Sequence, residues 1–154
     1  MSIELTVNGQ TISVAVADDV PLLDVLRNHL DLKGSRYGCG LEQCGSCMVL
    51  IDGKAEYSCA REVATVAGKR IETVESLGSH RLRQAFLDEQ AGQCGYCLSG
   101  ILISASALLA RNPSPARAEI AQALDDNICR CGAHNRIMRA VEKAAARMRA
   151  RANP

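Results

Sequence analysis

Apolar residues occupy every second position near the start of the chain, on either side of Asn8-Gly9. The positions are Ile3, Leu5, Val7, Ile12, Val14 and Val16. A period of two is typical of a β-strand with one buried face, and Asn-Gly favours the positive φ angles of a tight turn. The pattern therefore predicts a β-hairpin.

The next segment changes to a helical period. Asp19 and Pro21 are residues that commonly precede or begin a helix. Leu22, Leu26 and Leu30 then recur at a spacing of four, which places them on one helical face. We expect this helix to cover the apolar side of the hairpin.

Three further short strands are predicted before residue 76. The apolar run Met48 to Ile51, the turn at Asp52-Gly53 and the segment Lys54 to Ser58 indicate a second hairpin. Arg70 to Val74 is the last of these strands. The first half of the chain is therefore predicted to be a small mixed sheet with one covering helix.

The second half has helical periodicity throughout. Ser114-Pro115 is typical of a helix start, and Asn112-Pro113 of a helix end. Four helices are predicted, at residues 81–90, 100–111, 116–126 and 135–149. The fold class is thus α+β, with a sheet-containing domain at 1–76, a helical domain at 77–154 and a linking segment at Glu75 to Ser79.

Composition and charge exclude several functions. The chain has 154 residues, 47% of them hydrophobic, and 18 basic against 17 acidic residues give a net charge of +1. Without a basic block, nucleic acid is not an expected partner. The first ten residues lack the basic and apolar regions of a secretory signal, and Ile101 to Ala110 is too short to span a bilayer. We expect a cytoplasmic protein with no membrane span.

Eight cysteines give the strongest chemical signal. A reducing cytoplasm disfavours disulfides, so metal binding is the more natural explanation for so many thiols. Thirty-four residues separate the fourth cysteine from the fifth, which divides them into two groups of four: Cys39, Cys44, Cys47 and Cys59, then Cys94, Cys97, Cys129 and Cys131.

The first group lies in the segment GCGLEQCGSC and at Cys59. Gaps of four and two residues, followed by a distant fourth cysteine, match the plant-type ferredoxin spacing for a 2Fe-2S cluster. Four glycines lie near these cysteines, where they would let the backbone approach inorganic sulfide closely: Gly34, Gly38, Gly40 and Gly45. The alternative is a zinc site, since four thiolates also suit tetrahedral zinc, although zinc ribbons usually pair two short Cys-x-x-Cys motifs.

The second group is ambiguous by spacing. Cys94-Gly-Tyr-Cys97 and Cys129-Arg-Cys131 are separated by 31 residues. A Cys-x-x-Cys pair is compatible with a redox dithiol, a zinc knuckle or half of a cluster site. Both pairs lie between predicted helices, so a helical bundle would bring them to one end.

Taken together, GCGLEQCGSC with Cys59, then QCGYC and CRCG, resemble the iron-sulfur subunit of the xanthine oxidase family of molybdenum hydroxylases. The resemblance implies a β-grasp ferredoxin-like domain followed by a four-helix bundle, each with one 2Fe-2S cluster. It implies a large partner subunit that binds molybdopterin and oxidises the substrate. Electrons would enter through the cluster of the helical domain and leave through the ferredoxin-like cluster.

The resemblance also gives a role to Gln93. The family's glutamine at this position hydrogen-bonds the pterin of the partner subunit, and Cys131 matches a ligand close to it. Without the resemblance, Gln93 would be interpreted as a solvated loop residue. His80 and His134 are not needed as ligands, because eight cysteines complete two sites.

Two departures from the family pattern bear on substrate and acceptor. Gly132-Ala133-His134 follows the last cysteine where many members have Thr-Gly-Tyr, and Leu98-Ser99 replaces a common polar-Pro pair. This variant is more similar to small subunits of isoquinoline- and nicotinate-oxidising members, which pass electrons to cytochromes instead of a flavin subunit. Aldehyde-oxidising members share much of the pattern, and an exported large partner would carry this subunit to the periplasm.

Two other functions remain open at this stage. The chain would be a free two-cluster ferredoxin if it acted without a large subunit, or a zinc-stabilised adaptor if its thiolates held zinc. Finding about four irons and four labile sulfides per chain would exclude the adaptor, and co-purification with a molybdenum-containing chain would distinguish the subunit from the free carrier.

Overall fold

The computed structural model describes residues 2–78 and 80–152. It contains five strands: β1 (Ile3–Val7), β2 (Gln10–Val14), β3 (Val49–Ile51), β4 (Lys54–Glu56) and β5 (Arg70–Glu72). It also contains five helices: α1 (Leu22–Asp24, continued by a π-helical segment at Val25–His29), α2 (His80–Asp88), α3 (Leu98–Arg111), α4 (Arg117–Ala123) and α5 (His134–Ala152). Short 3-10 turns lie at Val63–Val66 and Val74–Ser76.

The strands form one mixed sheet in the order β2-β1-β5-β3-β4. β1 pairs antiparallel with β2 and parallel with β5, while β3 pairs antiparallel with both β4 and β5. The predicted turns are confirmed, since Asn8 and Asp52 have φ angles of 51° and 50°, and the glycine after each also has positive φ. Both hairpins therefore form where Asn-Gly and Asp-Gly indicated.

The two faces of the sheet are covered by different elements. On one face, Val49 and Ile51 of β3 join a buried cluster with Leu22 and Leu26 of α1. On the other face, Leu50 packs with residues of α3. Alternate residues of a strand point to opposite faces, so β3 connects the covering helix to the helical half.

The helix predicted to cover the sheet is present, with one difference. Leu22 and Leu26 are buried, and Leu30 packs against the same cluster. Only the first turn is α-helical, because the N-H of Leu30 donates to the carbonyl of Val25, five residues earlier, at 3.1 Å. The apolar face is thus as predicted, but the hydrogen-bonding pattern is not.

The four predicted helices of the second half are all present with shifted ends. The largest shifts are of three residues: α5 continues to Ala152 instead of 149, and α4 ends at Ala123 instead of 126. Its C-cap residue, Leu124, is buried with a φ of −104°, and the chain then turns into the loop that leads to Cys129. All four helices contribute to one hydrophobic cluster.

The apolar stripe of α5 faces this cluster. Ile137, Val141 and Ala145 are buried in it, and Met138 and Met148 pack against it. In the predicted linker, residues 74–76 form the second 3-10 turn, and Ser79 lies outside the described residues. Among the residues that the structure describes, no helix combines the length and apolarity needed to cross a membrane.

Candidate metal centres

The first cysteine group lies in two segments, one before β3 and one after β4. Cys39, Cys44 and Cys47 lie in the loop between α1 and β3, and Cys59 follows β4. The hydroxyl of Ser58 donates to the carbonyl of Cys47 at 2.6 Å, which ties the Cys59 segment to the loop. The structure therefore brings the segment of the distant fourth cysteine next to the loop that carries the other three.

Backbone N-H groups point at the sulfur of Cys39. The N-H groups of Leu41 and Gln43 each donate to Cys39 Sγ at 3.3 Å, and the N-H of Cys39 donates to Cys44 Sγ at 3.4 Å. Burial raises the pKa of Cys39, but hydrogen bonds from the N-H groups of Leu41, Gln43 and Cys44 and from the Cys44 side chain outweigh it and lower the pKa to about 7. Because the thiolate is the form that binds metal, the loop stabilises a ligand.

Close packing of the loop depends on Gly38. A Cβ atom at Gly38 would lie 2.6 Å from Cys44 Sγ, which is too close for any side chain. The absence of a side chain lets the backbone fold over the sulfur atoms. A cradle of this kind, with N-H donors directed at sulfur, suits an iron-sulfur cluster.

The second cysteine group lies where helices begin. Cys94 and Cys97 precede α3, and Cys129 and Cys131 precede α5. Cys97 and Cys129 belong to the hydrophobic cluster shared by α2 to α5, so helix packing brings the two pairs together. The N-H of Tyr96 donates to Cys94 Sγ at 3.5 Å and lowers the pKa of that thiol.

Each group contains one buried and one more accessible pair of thiols. The buried residues are Cys47 with Cys59 and Cys97 with Cys129; the accessible ones are Cys39 with Cys44 and Cys94 with Cys131. Side-chain hydrogen bonds link the two members of each of these pairs. Burial raises the pKa of Cys59 to about 11 and that of Cys97 to about 12.

This pairing bears on the choice between zinc and iron. A single zinc ion needs four ligands converging on one point, whereas a 2Fe-2S cluster takes two thiolates on each of two irons. Thiols arranged as two pairs fit the two irons of a cluster.

The two groups are in direct contact through their loops. The N-H of Ile128 donates to the carbonyl of Cys44 at 3.0 Å. Arg36 donates to the carbonyl of Gly95 at 2.8 Å, and its guanidinium lies 5.2 Å from the ring centroid of Tyr96. Nothing in the sequence singles out these residues except that each lies within three positions of a cysteine.

The remaining candidate residues are on the surface. Gln93 is exposed beside the exposed Cys94, and Cys131 is half-buried. His80 and His134 are exposed and stand at the starts of α2 and α5. Four large apolar side chains near the cysteines are also exposed, namely Tyr37, Leu41, Tyr96 and Ile128.

Two family descriptions match the chain. Residues 5–78 match "2Fe-2S iron-sulfur cluster binding domain", and residues 71–142 match "[2Fe-2S] binding domain". Each matched region contains one complete cysteine group. The chain therefore has two domains of 2Fe-2S-binding families, in the order in which the cysteine groups occur.

Related proteins are similar over nearly the whole chain. A nicotinate dehydrogenase subunit of Pseudomonas putida is 51% identical, with 94% of both chains covered. The alpha chain of isoquinoline 1-oxidoreductase from Brevundimonas diminuta is 46% identical, covering 93% of this chain and 97% of the relative.

Solved structures of similar proteins have the same fold as this chain. Quinoline 2-oxidoreductase from Pseudomonas putida 86 superposes with a TM-score of 0.92 at 36% identity, covering 99% of this chain and 97% of that one. The aldehyde oxidoreductase from Desulfovibrio desulfuricans gives a TM-score of 0.93 at 36% identity, but this chain covers only 17% of it. The chain belongs to the electron-transferring iron-sulfur small subunits of the xanthine oxidase family of molybdenum hydroxylases.

Proposed function

We propose that each cysteine group binds one 2Fe-2S cluster. The ligands of the first are Cys39, Cys44, Cys47 and Cys59, and those of the second are Cys94, Cys97, Cys129 and Cys131. The observation that carries this assignment is the arrangement of each group as two thiol pairs. When bound, such clusters accept and donate single electrons.

The finer architecture is part of the same proposal. Residues 1–76 form a β-grasp ferredoxin-like domain, and residues 77–154 form a four-helix bundle domain. Separate hydrophobic clusters support this division, one under α1 and one shared by α2 to α5. A third cluster, between β3 and α3, holds the domains against each other.

Electrons enter at the second cluster and leave through the first. The carbonyl of Cys44 accepts a hydrogen bond from Ile128, which is the neighbour of Cys129. This contact supports a short route between the clusters, made of covalent bonds and one hydrogen bond. The chain's own residues hold the route in place, while substrate oxidation takes place in the partner subunit.

The partner's molybdopterin lies against the surface around Gln93 and Cys131. Gln93 is exposed, so its amide is free to reach a pterin, and Cys131 belongs to the more accessible thiol pair. The adjacent Tyr96 and Ile128 are 48% and 56% exposed. Exposed apolar side chains beside a functional site are typical of a protein interface.

The substrate of the complex is an N-heteroaromatic compound. The names of the nicotinate and isoquinoline relatives support this class, and those of the aldehyde oxidoreductases support aldehydes as the second candidate. The acceptor is a cytochrome or, as in flavin-containing complexes, a flavin subunit. The chain folds in the cytoplasm, and any export to the periplasm occurs together with the large subunit.

Co-purification tests this function. An affinity-tagged chain isolated from its native host is expected to retain a large molybdenum-containing subunit, and nicotinate or a related heterocycle is expected to bleach its visible absorption. Isolation of an iron-loaded chain without any large companion would contradict the proposal and favour a free two-cluster ferredoxin. Bleaching by aldehydes alone would reassign the substrate class.

A further inference from the structure

Three segments meet backbone to backbone between the two cysteine groups. A Cβ atom at Gly100, in the first turn of α3, would lie 1.8 Å from the carbonyl oxygen of Gly45. A Cβ atom at Gly45 would lie 2.4 Å from both the carbonyl oxygen of Asp126 and Nδ2 of Asn127. The loop of the first group, the helix after Cys97 and the loop before Cys129 therefore touch at Gly45.

Asn127, in the loop before Cys129, also contacts Gly45. It is only 4% exposed, and its Nδ2 donates to the carbonyl of Gly45 at 3.4 Å. Its Oδ1 is buried and, among the described residues, has no hydrogen-bond partner. Burying an unpaired carbonyl oxygen is unfavourable, so a polar side chain here is not explained by core packing.

Helix formation does not explain the glycine at position 100. It lies inside a helix with no positive φ angle, where alanine would be the better residue by helix propensity. The Cβ of an alanine at this position, however, would collide with the carbonyl oxygen of Gly45. The glycine is therefore required by the neighbouring loop and not by its own helix.

We propose that the glycine contact, formed by Gly45, Gly100 and Asn127, sets the separation of the two clusters. These are positioning residues: they fix the Cys44 loop against the segments that carry Cys97 and Cys129. A single electron passing from the reduced second cluster to the oxidised first then crosses a fixed gap. This inference rests on the proposed function, since it requires a cluster in each cysteine group.

The test compares Gly100→Ala with Gly78→Ala in the full-length, cluster-loaded chain. Among the described residues other than its chain neighbours, nothing lies within 4 Å of a Cβ atom at Gly78, and its φ is not positive, so this change is a matched control. The measurement is the magnetic interaction between the two fully reduced clusters in low-temperature EPR, which falls with the inverse cube of their separation. This interaction splits the EPR signals of the clusters. Gly100→Ala is expected to move the clusters apart and so to narrow or abolish the splitting, whereas Gly78→Ala is expected to leave it unchanged.

Iron content distinguishes a failure of the proposed function from a failure of the inference about the glycine contact. If wild-type chain carries no 2Fe-2S clusters, the proposed function fails. If Gly100→Ala retains both clusters with a wild-type splitting, the glycine contact does not set the separation and the inference is overturned. If Gly100→Ala cannot be loaded, Asn127→Ala decides, because it removes the amide without adding bulk: a narrowed splitting supports the inference, and an unchanged one overturns it.

Discussion

The two cysteine groups reach similar arrangements by different means. Three ligand candidates of the first group lie within one nine-residue segment, and backbone N-H groups of that same segment point at Cys39 Sγ. The second group consists of two short pairs that are 31 residues apart, at the starts of α3 and α5. Packing of the helices brings these pairs together.

This difference shows what each site depends on. The first needs a loop conformation, which is specified locally by Gly38 and by hydrogen bonds within a few residues. The second needs a folded hydrophobic cluster, to which Cys97 and Cys129 themselves belong. A change that loosens the helices should therefore affect the second site first.

Removing one ligand should produce the largest effect and should separate the sites. We expect Cys131→Ser to abolish the second cluster while the first remains, so that iron falls from about four to about two per chain. Metal analysis with EPR of the reduced protein measures this change. Cys39→Ser is the reciprocal variant and should remove only the first signal. Loss of both clusters in either variant would show that the sites are not independent.

Core truncation should distinguish the two scaffolds. Ile137 is fully buried in the helical cluster, and Ile71 of β5 is fully buried in the cluster between the sheet and α1. Each change to alanine should lower the free energy of unfolding by about 2–5 kcal/mol, because it leaves a cavity. In urea, followed by the circular dichroism of the clusters, Ile137→Ala should lose the second cluster at a lower concentration than the first. Ile71→Ala should reverse this order, and identical orders would contradict the comparison.

The contact between the loops should contribute least to stability. Arg36→Met removes the hydrogen bond to Gly95 and the interaction with the Tyr96 ring, which together should cost about 1 kcal/mol. Arg70→Met is the matched control, because the Arg70 side chain is largely exposed and forms a surface ion pair with Glu72. It should change stability by less than about 0.5 kcal/mol. If urea unfolding gave equal losses of stability for the two variants, Arg36 would not be needed to hold the loops together.

Local patterns predicted the elements of this fold well. Asn8-Gly9 and Asp52-Gly53 specified their turns because only a few residues tolerate positive φ angles. The spacing of Leu22 and Leu26 identified the buried face of α1. Hydrogen bonds that depend on packing were harder to predict, as the π-helical continuation of α1 shows.

Contacts between distant segments could not be predicted in the same way. The cysteine spacing identified two groups, but not the division of each group into a buried and an accessible pair. Gly34 was expected to lie beside the cysteines, yet a Cβ atom there would meet Val74 and Glu75 instead. The hydrogen bond from Ile128 to Cys44 joins residues 84 positions apart, and no local pattern encodes such a partner.

The central claim is that the thiols form two separate 2Fe-2S sites on different scaffolds. Redox titration of the native chain, followed by EPR and by iron, zinc and sulfide analysis, tests it most directly. We expect about four irons and four labile sulfides per chain and two signals with distinguishable potentials. Stoichiometric zinc in place of iron, or one homogeneous signal, would contradict the claim.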